Sequence, residues 1–311
     1  ARQFLPEMIF MTWLVKNSGT FVSEEYFLHP PLLPNVIAIV ANVVHDLRTS
    51  FLLIQSCVII VLDFLLFFYL KNRFGLKYAI SGLLFYIPWQ VFFRGNALWY
   101  DFATIPFLAV SYFSFLNFIK NPARKQLVMA ASSLSLGYFF KQTVLWIFIF
   151  YFFWILITSL IKKIRLEKFI GLNIILFLPL VAVIALNSAV LLLKSTPEFT
   201  IQWSFVIPLF IFHRLSTFSR FISQNYQVVV AILIGFFAIS VLAIEKTKKL
   251  KADERIFIYL FTLFNIVGIF PWWSDFRLQP FIFFLTILLA SGIYYCQFLS
   301  KKDIKVFRIY L

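Results

Sequence analysis

Charge, cysteine and histidine are all scarce in this chain, and each shortage removes a class of protein. Asp, Glu, Lys and Arg supply only 13% of the 311 residues, whereas apolar residues supply 62%. No soluble packing scheme hides that much hydrocarbon, so lipid is the expected solvent. The two cysteines, Cys57 and Cys296, sit in apolar runs and support neither a disulfide framework nor a thiolate metal site. The three histidines, His29, His45 and His213, match no metal-ligand spacing, so no metal and no other cofactor is expected. No internal repeat is visible, which counts against transporter folds built from inverted repeats.

What the chain does contain is a succession of apolar runs. Nine fall near 49–70, 78–93, 98–119, 126–140, 143–161, 169–193, 226–244, 256–271 and 277–299, most of them close to the roughly 20 residues that a membrane-crossing helix needs. The expected architecture is therefore an all-α, polytopic transmembrane helix bundle forming one domain over 1–311. Within it, 1–48 is a first outer segment with interfacial helices and 49–193 holds six spans. Residues 194–225 form a second outer segment, 226–299 hold three spans, and 300–311 form a cytoplasmic tail. The runs at 78–93 and 126–140 are short; about 15 residues at about 1.5 Å each cover some 22 Å, which suits helices that end at a vestibule. Segment 200–213 is too interrupted to span and reads as an interfacial or re-entrant helix. The chain opens with Ala1, and a segment upstream of it is expected.

The net charge of +15 orients the bundle. Loops 71–77, 120–125, 162–168, 246–255 and 301–308 hold 19 of the 28 Lys and Arg residues, and the opposite face holds nine. That bias places the five basic loops in the cytoplasm and leaves no support for nucleic-acid binding; membrane lipids are the expected contacts. The aromatic content of 21% suits spans packed on acyl chains, with Trp and Tyr at headgroup level.

Four polar constellations fall on the outer side. Ser23 to Pro34 sets Glu24, Glu25 and His29 before a double proline; these groups suit acid–base work or a divalent cation, or else form a solvated cap to a helix starting near Leu32. Phe93 to Asp101 places Arg94 at a turn and Asp101 about one turn into the next span, either lining a watery cavity or ion-paired with Arg94 or Lys141. Gly137 to Thr143 offers Lys141, Gln142 and Thr143 as a donor set for a phosphate, or Lys141 as a snorkelling anchor. Pro271 to Pro280 places Trp272 and Trp273 beside Asp275 and Arg277, as a sugar-stacking site or as part of an interfacial belt. Asp63 lies in mid-span with no role that the sequence suggests.

At these residues the chain resembles the GT-C glycosyltransferases. Tyr26 to Pro34 (YFLHPPLLP) is similar to the family's first-loop segment with its double proline, and Asn96 to Thr104 (NALWYDFAT) also matches. Gly137 to Trp146 (GYFFKQTVLW) resembles a basic-Gln-Thr motif of the dolichol-linked-oligosaccharide glucosyltransferase branch, and Phe276 to Phe281 (FRLQPF) resembles the family's last-helix Arg and Pro. The likeness, which also extends to protein mannosyltransferases, covers nearly the whole chain in layout.

The resemblance implies transfer of a sugar from a polyprenyl phosphate donor to a lipid-linked glycan, glycolipid or protein acceptor, at the non-cytoplasmic face and with inversion. It implies an acidic catalytic residue in the first outer loop. The family's first helix and its Asp-Glu pair are not visible here, so either an upstream segment carries them or another acid such as Glu7 or Glu24 serves. The expected catalytic carboxylates are Glu24, Glu25 and Asp101. Substrate and phosphate contacts are expected from His29, Arg94, Lys141, Gln142, Trp272, Trp273, Asp275 and Arg277. A carrier or flippase for a lipid-linked saccharide is the alternative; it calls for polar groups near mid-bilayer, whereas these cluster at the outer ends of the spans.

Overall fold

The computed structural model describes residues 6–18, 32–93, 98–192, 226–247, 250–267 and 275–298. These are helical apart from short turns, with no strand among them, as the all-α expectation requires. Two helices precede the first long apolar run: α1 (Pro6–Ser18) and α2 (Leu32–Val44). Then follow α3 (Leu47–Phe74), α4 (Leu76–Phe92), α5 (Tyr100–Lys120), α6 (Arg124–Tyr138), α7 (Leu145–Ile161) and α8 (Leu166–Leu192). After residue 225 come α9 (Tyr226–Thr247), α10 (Ala252–Val267) and α11 (Gln279–Cys296). Each of the nine apolar runs coincides with one of the helices α3 to α11. Four of them, in α3, α5, α8 and α11, are long and apolar enough among the described residues to cross a membrane. Segments 194–225 and 299–311 lie outside the described residues, as does the proposed re-entrant helix at 200–213.

Helix boundaries follow local chemistry. Asp46 caps α3, its carboxylate accepting from the Thr49 amide at 2.7 Å and the Thr49 hydroxyl at 2.5 Å. Those two bonds hold the exposed Asp46 carboxyl below the usual carboxylate range. Asn121 and Pro122 stop α5, since proline cannot continue the helix. Pro88, Pro106 and Pro179 lie inside α4, α5 and α8, where bundle neighbours tolerate them.

The burial pattern is that of a membrane bundle. Helix α11 is covered over most of its length, packing against α3, α4, α5, α9 and α10, whereas the more apolar α3 and α8 leave most of theirs open. Gly292 sets the approach of α11 to α9: an added Cβ would lie 2.9 Å from the Ser240 Cα, so only a hydrogen fits. Much of the aromatic content lies inside the bundle and not at its rim. Tyr112, Phe115, Tyr151, Phe257, Phe261 and Phe284 interlock between α5, α7, α10 and α11, and Phe115 stacks on Tyr151 with ring centroids 3.8 Å apart. Without a hydrophobic force between helices in lipid, such contact supplies the dispersion attraction that holds them together.

Helix α5 gives the bundle its two ends. Its 21 residues rise about 31 Å, close to the roughly 30 Å hydrocarbon thickness, with Asp101 in its first turn and Lys120 in its last. At the Lys120 end the basic loops meet. Buried Glu254 pairs with Lys120 at 3.4 Å and with Arg73 at 3.6 Å, and Lys162 bonds Asp253 at 2.9 Å. Four of the five basic loops thus share one end of the bundle.

Candidate functional site

The opposite end gathers Asp101, Lys141 and Arg277, which are far apart in the chain. Asp101 occupies the first turn of α5, where the helix dipole favours a carboxylate, and Lys141 follows the last turn of α6, where a cation is favoured. Two contacts bring α6 onto α5 here. A Cβ on Gly137 would sit 3.3 Å from the Phe107 Cβ, so glycine permits the approach, and the Phe107 and Phe140 rings lie 5.1 Å apart. The Lys141 ammonium then makes a direct ion pair with Oδ1 of Asp101, both side chains almost completely buried. The other carboxylate oxygen, Oδ2, is buried without a hydrogen-bond partner among the described residues.

Arg277 arrives from the 3-10 turn Asp275–Leu278 that opens α11, and it too is buried. The next residue but one locks that turn in place. The Gln279 amide donates to the carbonyls of Gln90 and Phe93, each at 2.7 Å, supplying the partners that the end of α4 lacks. Burial pulls the Lys141 ammonium below its ordinary pKa, the Asp101 carboxylate opposes that pull, and Arg277 adds to it.

Beside Asp101 and Arg277 lies a cavity of about 30 Å³, bordered also by Thr104, Thr143 and Asn265. That is room for one water and not for a sugar ring. Arg277 and the polar groups of Thr104, Thr143 and Asn265 on its wall suit an anionic oxygen, such as a phosphate oxygen.

Sequence reasoning foresaw part of this arrangement. It named Asp101, Lys141 and Arg277, and the Asp101–Lys141 pair is one of the two ion pairs it weighed. It missed Asn265, Thr104 and Gln279. Asn265 and Gln279 are polar residues at the ends of apolar helices, which was the available signal. Glu24, Glu25, His29, Arg94, Trp272 and Trp273 lie outside the described residues, as do the side chains of Gln142 and Asp275. Among the described residues no group of three or more His, Cys, Asp or Glu side chains could hold a metal, and Cys57 and Cys296 are free thiols.

Fold and site together define an integral membrane helix bundle with a buried charge cluster at one end. A family model described as dolichyl-phosphate-mannose-protein mannosyltransferase matches residues 28–187, just over half of the chain. The chain belongs to that family, the GT-C-type membrane glycosyltransferases that use dolichyl-phosphate-sugar donors. The match spans the double proline, Asp101 and Lys141. No curated protein and no solved structure matches the chain.

Proposed function

We propose that the protein transfers a hexose or pentose from a polyprenyl phosphate donor to a lipid-linked glycan, glycolipid or protein, on the non-cytoplasmic side and through nine spans, with inversion. The observation that carries this reading is the convergence of Asp101, Lys141 and Arg277 about 30 Å along the bundle from the clustered basic loops. Basic loops stay cytoplasmic, so the cluster faces the other compartment.

In the proposed reaction a carboxylate takes the acceptor's hydroxyl proton as the new acceptor O–C1 bond forms. The C1–O bond to the lipid phosphate breaks with its electron pair, leaving a phosphate that Lys141 and Arg277 receive. Asp101 is already paired with Lys141, so it positions that ammonium, and the base falls to Glu24 or Glu25 of the first outer segment. His29 and Arg94 complete the donor contacts, Gln142 and Asp275 border the phosphate, and Trp272 and Trp273 stack on the sugar.

The test is sugar transfer by the purified protein in nanodiscs, with radiolabelled polyprenyl phosphate hexoses and crude lipid-linked acceptors. Product from the parent and its loss in Lys141→Ala and Asp101→Asn is the expected result. Retained binding of a lipid-linked sugar with no transfer from any donor overturns the reading in favour of a carrier.

A further inference from the structure

A ligand-sized feature lies at the basic end, away from the charge cluster. It is a groove of about 460 Å³ between α3 and α5, open along its side. One helical stripe of α3 forms its wall, with Val61, Phe64 and Phe68 exposed. The other wall is α5, whose Phe113 stacks on Tyr69 of α3 at 4.0 Å and floors the groove. The apolar lining then gives way to Asn72, Asn117, Arg73 and Lys120 at the end of both helices.

Three features of this groove select its occupant. Its length from Val61 to Asn72 is 11 residues of rise, about 16 Å, which is close to half of the roughly 30 Å hydrocarbon core and so to one leaflet. Its polarity runs in one direction, apolar toward mid-bilayer and polar at the headgroup level. Its polar end carries excess positive charge: Arg73 and Lys120 share the single carboxylate of Glu254 at 3.6 and 3.4 Å, both longer than a close charge-assisted hydrogen bond. Glu254 is only 8% exposed and lies behind the cations, whereas the Arg73 side chain is 39% exposed. A basic pocket between spans at this level suits an anionic lipid head.

We propose that this groove binds an anionic phospholipid of the leaflet at the basic end, its phosphate between Arg73 and Lys120 and one acyl chain along Phe64, Phe68 and Phe113. The site is distinct from the charge cluster at the far end of α5 and does not depend on the transfer reaction.

The experiment uses the full chain in nanodiscs doped with phospholipids carrying a photoreactive diazirine on one acyl chain, with phosphatidylglycerol or phosphatidylcholine heads. Adducts are mapped by peptide mass spectrometry. The expected result is labelling of Phe64, Phe68 and Phe113 by the phosphatidylglycerol probe in preference to phosphatidylcholine, cut about five-fold by Arg73→Gln and about five-fold by Lys120→Gln. Leu65→Trp fills the groove without touching the ion pairs, and it removes the labelling in a protein with parental thermal stability. Equal labelling by the two heads, or labelling unchanged by all three variants, overturns the proposal. So does competition by free glycerol phosphate, which points to a soluble anion, or cross-links from residues 301–308 to the groove, which point to the chain's own C-terminal segment.

Discussion

Removing one partner of the Asp101–Lys141 pair leaves the other charge buried and uncompensated. The Lys141 side chain is 1% exposed and the Asp101 side chain 5%, so water screens neither. Loss of one member of such a pair costs about 3–5 kcal/mol, mostly the desolvation of the charge left behind. Asp101→Asn is expected to sit at the upper end of that range, because it strands Lys141 beside Arg277, a second buried cation. Lys141→Met strands Asp101, but Arg277 still opposes its charge, so the loss is expected at the lower end. The double replacement removes both charges of the pair, so that only Arg277 loses the opposing charge of Asp101, and it should be more stable than Asp101→Asn alone and than the sum of the single losses predicts. The assay is reversible unfolding of the purified protein in mixed micelles across the four corners of the cycle, with sugar transfer measured in parallel. The expected signature is a double variant that is more stable than Asp101→Asn and inactive. Single variants within about 1 kcal/mol of the parent, or a double variant as unstable as the sum of the two, would refute the argument that the pair is buried and mutually compensating.

Other positions make independent predictions. Gln279→Leu removes both bonds to the α4 terminal carbonyls and should cost about 1–3 kcal/mol, with faster hydrogen exchange near Phe93 as the specific readout. Gly292→Leu cannot fit against the Ser240 backbone and should lower the yield of folded protein, while Gly171→Leu, which meets nothing within 4 Å, should not. Glu254→Gln leaves Arg73 and Lys120 facing each other and should cost more than Asp253→Asn, whose pair with Lys162 is about half exposed; thermal melts compare them. The folded Asp46 carboxyl is held below its ordinary range. Its contribution is therefore present above that range and lost as pH falls through the lower folded value, so acid should weaken the start of α3 in the parent more than in Asp46→Asn.

Solvent and secondary structure were legible in the sequence because both depend on short stretches of chain. An apolar stretch of backbone in lipid must be helical to satisfy its own hydrogen bonds, and the nine runs appear as helices α3 to α11, four of them long and apolar enough among the described residues to cross a membrane. The alternation of basic loops is equally local, and four of them meet around Glu254, Asp253 and Arg73. Among the site residues, Lys141 was visible as a lone cation in a long apolar stretch, and Asp101 as a carboxylate inside a span.

The tertiary structure decided what the sequence left open: that Asp101 pairs with Lys141, which end of which helix Gln279 serves, and how much space lies beside Asp101 and Arg277. Those outcomes depend on how closely α6 approaches α5, and therefore on the missing side chain of Gly137 and the packing of Phe107. They also depend on the register of α11 against α4. Hydropathy is a property of each residue and sums along the chain, so it predicts solvent and span. The partner of a buried charge is settled by separations of a few ångströms between helices that are remote in sequence, which no run of residues encodes alone.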